Sequence, residues 1–414
     1  MRLLGLLAGA LISIASAPAE ATDLRGHGGP VSALAVSENH VLSGAFDTRV
    51  ILWDPERAVA LKVMRLHEGN VTATAFLPDG GYASAGQDGR VALWPAQGNE
   101  PRQVTQEHEA PVAGLALSPD GATLAAGGWD GRLQFLSLGS GDVTVIDAHR
   151  GMVTGLDYLP DGRLVTVGSD LRLIIWQGRQ PVATIGLPAS PNGLAIAADK
   201  TAVIFADGAV RLFDATGLVA ERKLTERPLA AVAMGGDAIA AASVDGEVWV
   251  MEVADLAPRH AIQPGQGPIW SLALTQSELL TGGGDGLIRR WDLTTAEPLG
   301  TGADAAVEAS FDDGSRGAKV WRACALCHSL TPDDGNRAGP TLHALFGRRI
   351  GTARNYDYSD ALREMDIVWT PETVAELFEV GPDTYTPGSR MPDQRLPAAE
   401  DRAALVEFLA RATR

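Results

Sequence analysis

The sequence predicts a multidomain chain, an all-β seven-bladed propeller over residues 22–293 followed by a small all-α unit over 312–414. Three observations carry this. A pattern of about 40 residues returns seven times. Within each copy the apolar residues come in short β-rich bursts separated by Gly, Asp and Asn. Both features stop before the chain's only two cysteines, Cys324 and Cys327.

The first copy opens at Gly26-His27, runs through Gly44-Ala45-Phe46-Asp47 and closes on Ile51-Leu52-Trp53-Asp54. The same order returns at His67, Asp88 and Trp94, at His108, Asp130 and Leu136, and at His149, Asp170 and Trp176. Three weaker copies pair Asp207 with Phe213, Asp245 with Met251 and Asp285 with Trp291. In each, the closing apolar residue lies six positions after the Asp, and the closing positions are spaced 37 to 42 apart. Four short strands in such a unit form a twisted sheet that cannot bury both faces alone. Seven of them packed radially close a ring. Residues 22–25 have no blade of their own and are expected to supply the outermost strand of blade seven, which removes an open sheet edge.

These repeats resemble the WD-repeat family, whose signature is an opening Gly-His, a turn Asp and a closing Trp-Asp. The match is strong in copies one, two, four and seven and eroded in five and six, which lack the opening His. The resemblance implies that each His is hydrogen-bonded inside its own blade and braces the turn Asp, so the four His are not read as a metal site. Gly282-Gly283-Gly284-Asp285-Gly286 has no Lys-Ser/Thr after it and is read as a blade turn, not a phosphate loop. Two residues after the turn Asp, copies one to four carry Arg49, Arg90, Arg132 and Arg172, where copies five to seven have Ala209, Glu247 and Leu287. Such an arc either holds an anion, an acidic partner or the acidic second unit, or is a solvated position that tolerates a long side chain.

Residues 1–21 stand outside both units. Met1-Arg2, an apolar run over 3–14 and a small-residue stretch ending in Ala19-Glu20-Ala21 predict a secretory signal peptide cleaved near Ala21. No other stretch approaches the roughly 20 apolar residues of a membrane span, so the mature chain is expected to be soluble and periplasmic. The formal net charge of −17, with 34 Lys and Arg against 51 Asp and Glu, argues against nucleic acid and anionic lipid as partners. Oligomeric state is not legible.

After an Ala-, Thr- and acid-rich linker over 294–311, Asp312 and Asp313 offer helix-start chemistry for a helix over 317–323. That helix delivers Cys324-Ala325-Leu326-Cys327-His328. Two thiols three positions apart can bond both vinyl groups of one porphyrin, and the adjacent His then aims its imidazole at the iron: one covalently bound haem c. A redox dithiol would use C-x-x-C in a βαβ setting, which is absent, and a zinc site would need further ligands. A disulfide is allowed by the spacing. The expected sixth iron ligand is Met391, in a loop stiffened by Pro387, Gly388 and Pro392, with Met365 and His343 as competitors.

The last hundred residues resemble class I cytochrome c of the mitochondrial and α-proteobacterial type. The marks are the C-x-x-C-H run, Gly339-Pro340-Thr341-Leu342, Gly347-Arg348, Tyr356-Asp357-Tyr358-Ser359, Trp369 and Pro387-Gly388-Ser389-Arg390-Met391. The resemblance implies an all-α cytochrome c fold. It also implies that the Pro340 carbonyl accepts the His328 N–H, and that Arg348, Tyr358 and Trp369 bond the haem propionates. A final helix over 401–412 is expected to pack on the first, Trp321 against Phe408. Leu362 and Leu377 stand where the mitochondrial proteins carry polar groups near the Met ligand. Lys319 is this unit's only Lys, so the basic docking ring of those proteins is missing.

The expected function is one-electron transfer, without enzymatic activity, the propeller docking a redox protein partner. The alternative is a redox enzyme subunit whose propeller binds substrate while the haem accepts its electrons; no acid–base pair or G-x-S-x-G supports it. A haem sensor with a detachable Met391 is a third class, against which Pro387 and Pro392 argue.

Overall fold

A computed structural model of the chain describes residues 23–299, 313–325, 328–332, 339–354, 356, 358–389, 391 and 395–413. The expected signal peptide and Cys327 lie outside them, as does most of the expected linker. Among the described residues, twenty-eight strands form seven four-stranded antiparallel sheets. Blade one is β2 (Val31–Val36), β3 (Val41–Ala45), β4 (Arg49–Asp54) and β5 (Val59–Arg65). Blades two to six follow as β6–β9 (71–105), β10–β13 (112–147), β14–β17 (153–186), β18–β21 (191–223) and β22–β25 (229–262).

Blade seven joins β26 (Ile269–Leu274), β27 (Glu278–Gly283) and β28 (Leu287–Asp292) to β1 (Leu24–Arg25). β1 pairs antiparallel with β28, Leu24 opposite Ile288. The N-terminal segment therefore closes the ring as expected. The other end of the same edge is covered by residues just after β28: Trp291 bridges Pro298, and Leu299 N donates to Arg290 O at 2.9 Å. The expected linker thus begins by folding back on blade seven.

The core lies between adjacent blades. Leu24, Val31, Ile51 and Trp53 pack with Leu280 and Ile288 across the seam of blades one and seven. Each innermost strand carries a bulge one residue after its start, at Ser32, Thr72, Ala113, Thr154, Asn192, Ala230 and Trp270. A bulge adds local twist, which suits sheets fanned about an axis. In three blades the bulged side chain also bonds the next blade: Ser32 Oγ to Val71 O at 2.5 Å, Thr72 Oγ1 to Val112 O at 2.6 Å, and Asn192 Nδ2 to Leu229 O at 2.8 Å. Ser271 Oγ to Val31 O, at 2.9 Å, makes the equivalent link where the ring closes.

The turn after each repeat Asp needs a left-handed residue. Gly89, Gly131, Gly208, Gly246 and Gly286 supply it with φ of 75 to 90°. Blades one and four force Thr48 (φ 68°) and Leu171 (φ 61°) into the same geometry.

The C-terminal part is helical: α1 (Arg316–Cys324), α2 (Asp360–Glu364), α3 (Pro371–Val380), α4 (Pro382–Tyr385) and α5 (Ala399–Ala412). α1 begins one residue before the expected helix and is capped by Ser315, whose Oγ accepts from Ala318 N at 3.1 Å. Asp313 instead accepts from Ser315 N at 2.9 Å and pairs with Arg411 at 2.8 Å. Trp321 and Phe408 meet with ring centroids 6.1 Å apart, and Leu345, Phe378, Leu405 and Leu409 fill the core around them. No helix among the described residues is long and apolar enough to cross a membrane.

Candidate functional site

The repeat His residues are structural. His27 Nδ1 faces Asp47 at 3.1 Å and its Nε2 faces Ser43 Oγ at 2.7 Å, while Trp53 Nε1 donates to the same hydroxyl at 2.7 Å. Blades two and four repeat the chain with Asp88, His67, Ser84 and Trp94, and with Asp170, His149, Thr166 and Trp176. Burial alone would raise the carboxyl of Asp47, but the bonds and charge of His27 hold it below the usual range. Blade seven has no His, and Gln266 takes its place. The amide donates to Asp285 at 3.2 Å and accepts from Thr281 Oγ1 at 2.6 Å, and Trp291 donates to that Thr. In blade five Arg211 holds Asp207 at 2.8 Å. Neither substitute was singled out from the sequence. No cluster of three or more His, Cys, Asp or Glu suited to a metal occurs among the described residues.

The C-terminal helices surround a mainly apolar cleft. Its walls include Leu342, Leu345, Ile350, Leu377 and Leu405. Cys324, at the end of α1, is buried on this wall. His328 follows, and its Nδ1 lies 2.8 Å from Pro340 O, so that the carbonyl fixes the plane and direction of the ring. A Cβ on Gly339 would fall on the His328 imidazole, so the Gly-Pro pair lets the chain pass against that ring.

Arg348 lines the cleft half-buried and donates to His343 O at 2.9 Å and Thr341 O at 2.6 Å. Burial pushes its pKa down. The same burial pushes the Tyr358 phenol up to about 12. Trp369 N donates to Arg348 O at 3.0 Å and Gly347 N to Trp369 O at 2.9 Å, so a short ladder holds Arg348 and Trp369 at the same wall. Met391 lines the cleft too, whereas Met365 and His343 do not. Its loop is held by Ser389 Oγ, which accepts from Met391 N at 3.1 Å, and by Ser359 Oγ, which donates to Gly388 O at 3.0 Å. The structure thus gathers Cys324, His328, Pro340, Arg348, Tyr358, Trp369 and Met391 at one cavity.

One wall residue comes from the propeller. Arg49, at the start of β4, lines the same cleft and is only 6% exposed. Nearby, the Arg65 guanidinium stacks over the Tyr356 ring at 5.5 Å. In the sequence Arg49 is one of an arc of four, with nothing to set it apart from the rest.

Fold and cavity together define a WD-repeat propeller protein with an appended helical unit enclosing a His- and Met-lined apolar cleft. The family described as WD domain, G-beta repeat matches residues 20–54, 59–95, 99–135 and 141–177, the first four copies. Cytochrome c of Cochliobolus lunatus is 39% identical over 103 residues, a quarter of this chain and 94% of that protein. Cytochrome c of Arabidopsis thaliana is likewise 39% identical over 103 residues, covering 91% of its length, and that of Stellaria longipes 38%, covering 94%. The chain belongs to the cytochrome c family over about a quarter of its length.

Proposed function

We propose that the chain is a periplasmic one-electron carrier whose C-terminal cytochrome c domain holds one haem c, and whose propeller docks the redox partner. The observation that carries this reading is the pairing of His328, oriented by the Pro340 carbonyl at 2.8 Å, with Met391 on the wall of one apolar cleft that also holds Cys324. The donor set fits a haem: an imidazole directed through Nδ1, a soft thioether and a thiol at the end of a helix. The cleft is mainly apolar, and its polar groups include guanidinium and phenol donors suited to propionates. When bound, a haem here would supply one-electron chemistry. Cys324 and Cys327 would carry the thioether links, and His328 and Met391 would hold the iron. Arg348, Tyr358 and Trp369 would orient the propionates, while the leucine-rich walls exclude water. The apolar run before Ala21 and the −17 net charge support export and a protein partner, not nucleic acid.

The test is an absorption spectrum of the matured, reduced chain before and after carbon monoxide. A c-type spectrum that the gas leaves unchanged is expected. A clear shift would mean an open sixth position, and Met391 would no longer stand as a ligand.

A further inference from the structure

Among the four arc arginines, Arg49 has a different environment. Arg90 pairs with Glu68 at 3.0 Å, and Arg132 lies 3.7 Å from Glu109 and 3.6 Å from Asp147. Both glutamates follow the repeat His directly. In blade one that position is Gly28, and the residue across the ladder from Arg49, where blade three has Asp147, is Arg65. Blade one has thus lost both acids and set two guanidiniums opposite each other, with the turn carboxylate Asp47, whose pKa the Arg49 charge lowers, as the acid nearby. Arg172 also lacks the acid after its His, but it is partly exposed.

Arg49 is buried, and its Nη1 has no hydrogen-bond acceptor among the described residues. A buried donor without an acceptor carries its full desolvation cost. Among the described residues no Asp or Glu lines the cleft that Arg49 lines, and the second guanidinium there, Arg348, already donates to two carbonyls. The acceptor has to come with the occupant of the cleft, and a carboxylate matches the planar guanidinium fork.

We propose that Arg49 of the propeller donates a hydrogen bond to a propionate of the haem held by the C-terminal domain, so that the propeller completes the haem site and helps set its potential. The proposal rests on the haem reading above. A positive charge beside the haem disfavours the oxidised iron, so removing it lowers the potential.

The experiment is a redox titration of the full, haem-loaded chain, as wild type, Arg49→Gln, Arg49→Lys and the control Arg132→Gln, with resonance Raman spectra of each. Arg49→Gln is expected to shift the redox equilibrium about tenfold toward the oxidised form, about 59 mV for one electron, and to move the propionate bending band. Arg49→Lys keeps the charge, so its equilibrium stays within about threefold while the band moves, because an ammonium cannot make the forked bond. Arg132→Gln leaves both unchanged. Should Arg49→Gln fail to fold, Arg49→Lys alone decides through the band. An intact c-type spectrum with an unmoved band and an equilibrium within twofold of wild type in the Arg49 variants overturns this proposal and leaves the haem reading standing. A chain that takes up no haem overturns both.

Discussion

Ser43 accepts one hydrogen bond from Trp53 and faces His27, which in turn faces Asp47, so a single hydroxyl joins the middle of blade one to its turn. Blade three shows what happens when that hydroxyl is missing. Ala126 stands in its place, the closing residue is Leu136 instead of Trp, and His108 Nε2 is buried without a partner among the described residues. The Ser or Thr and the Trp are therefore kept or lost together, since either alone would strand a buried polar group. A different buried group sets a pH dependence. Asp157, on the innermost strand of blade four, has its carboxyl raised to about 6 by burial, against which the Tyr158 amide bonds only in part. Between about pH 4 and 6 the folded state holds this proton and the unfolded state has released it, so stability falls as pH rises through that window. Asp157→Asn is expected to stabilise the propeller by about 1–3 kcal/mol at pH 7.5, with the gain vanishing near pH 4. Urea unfolding at the two pH values checks this; equal gains at both would refute it. His, Asp and Trp were legible from their spacing at this scale. Gln266 was not, because an amide can donate and accept like an imidazole without resembling one in a repeat pattern.

At the scale of elements, the turns carry a cost that the glycine-bearing blades avoid. Thr48 is β-branched and sits at φ 68°, where five sister blades place Gly. Thr48→Gly is expected to raise stability by about 0.5–1 kcal/mol, read as a higher urea midpoint with unchanged m-value, whereas the same change at an extended position would lower it. The strands and the two long helices at the core crossing were readable from the sequence, because their apolar pattern matches their period. Helix ends were less so. Two aspartates looked like the cap of α1, but the hydroxyl of Ser315 does that work and Asp313 reaches Arg411 across the crossing. Likewise, the first residues past β28 looked like linker, since a single bridge such as Trp291 to Pro298 leaves no periodic trace.

At the scale of the whole molecule, the ring depends on a strand of two residues. Leu24 is fully buried in the seam between blades one and seven and pairs with Ile288. Leu24→Asp puts an unpaired charge in that seam and is expected to cost about 3 kcal/mol or more, lowering the thermal midpoint by several degrees. A variant melting like wild type would show that blade seven holds without β1. The C-terminal residues of the cleft were legible one by one, because they lie in one continuous motif-bearing stretch. The contribution of Arg49 was not, since its burial depends on a domain more than 250 residues further along the chain packing against blade one.

The pairing of β1 with β28 also fixes an order of events during synthesis. The first strand has no partner until the last blade has been made, so for nearly the whole of synthesis the growing chain is an open arc with adhesive ends. Long-range closure of this kind is slow, and an unpaired edge invites association with other chains. A chain cut short before Leu287 lacks β28 altogether and is left with both ends of the arc unpaired. Only chains extended past that point can seal themselves, and the C-terminal helical domain, which follows it, is therefore delivered beside a ring able to close.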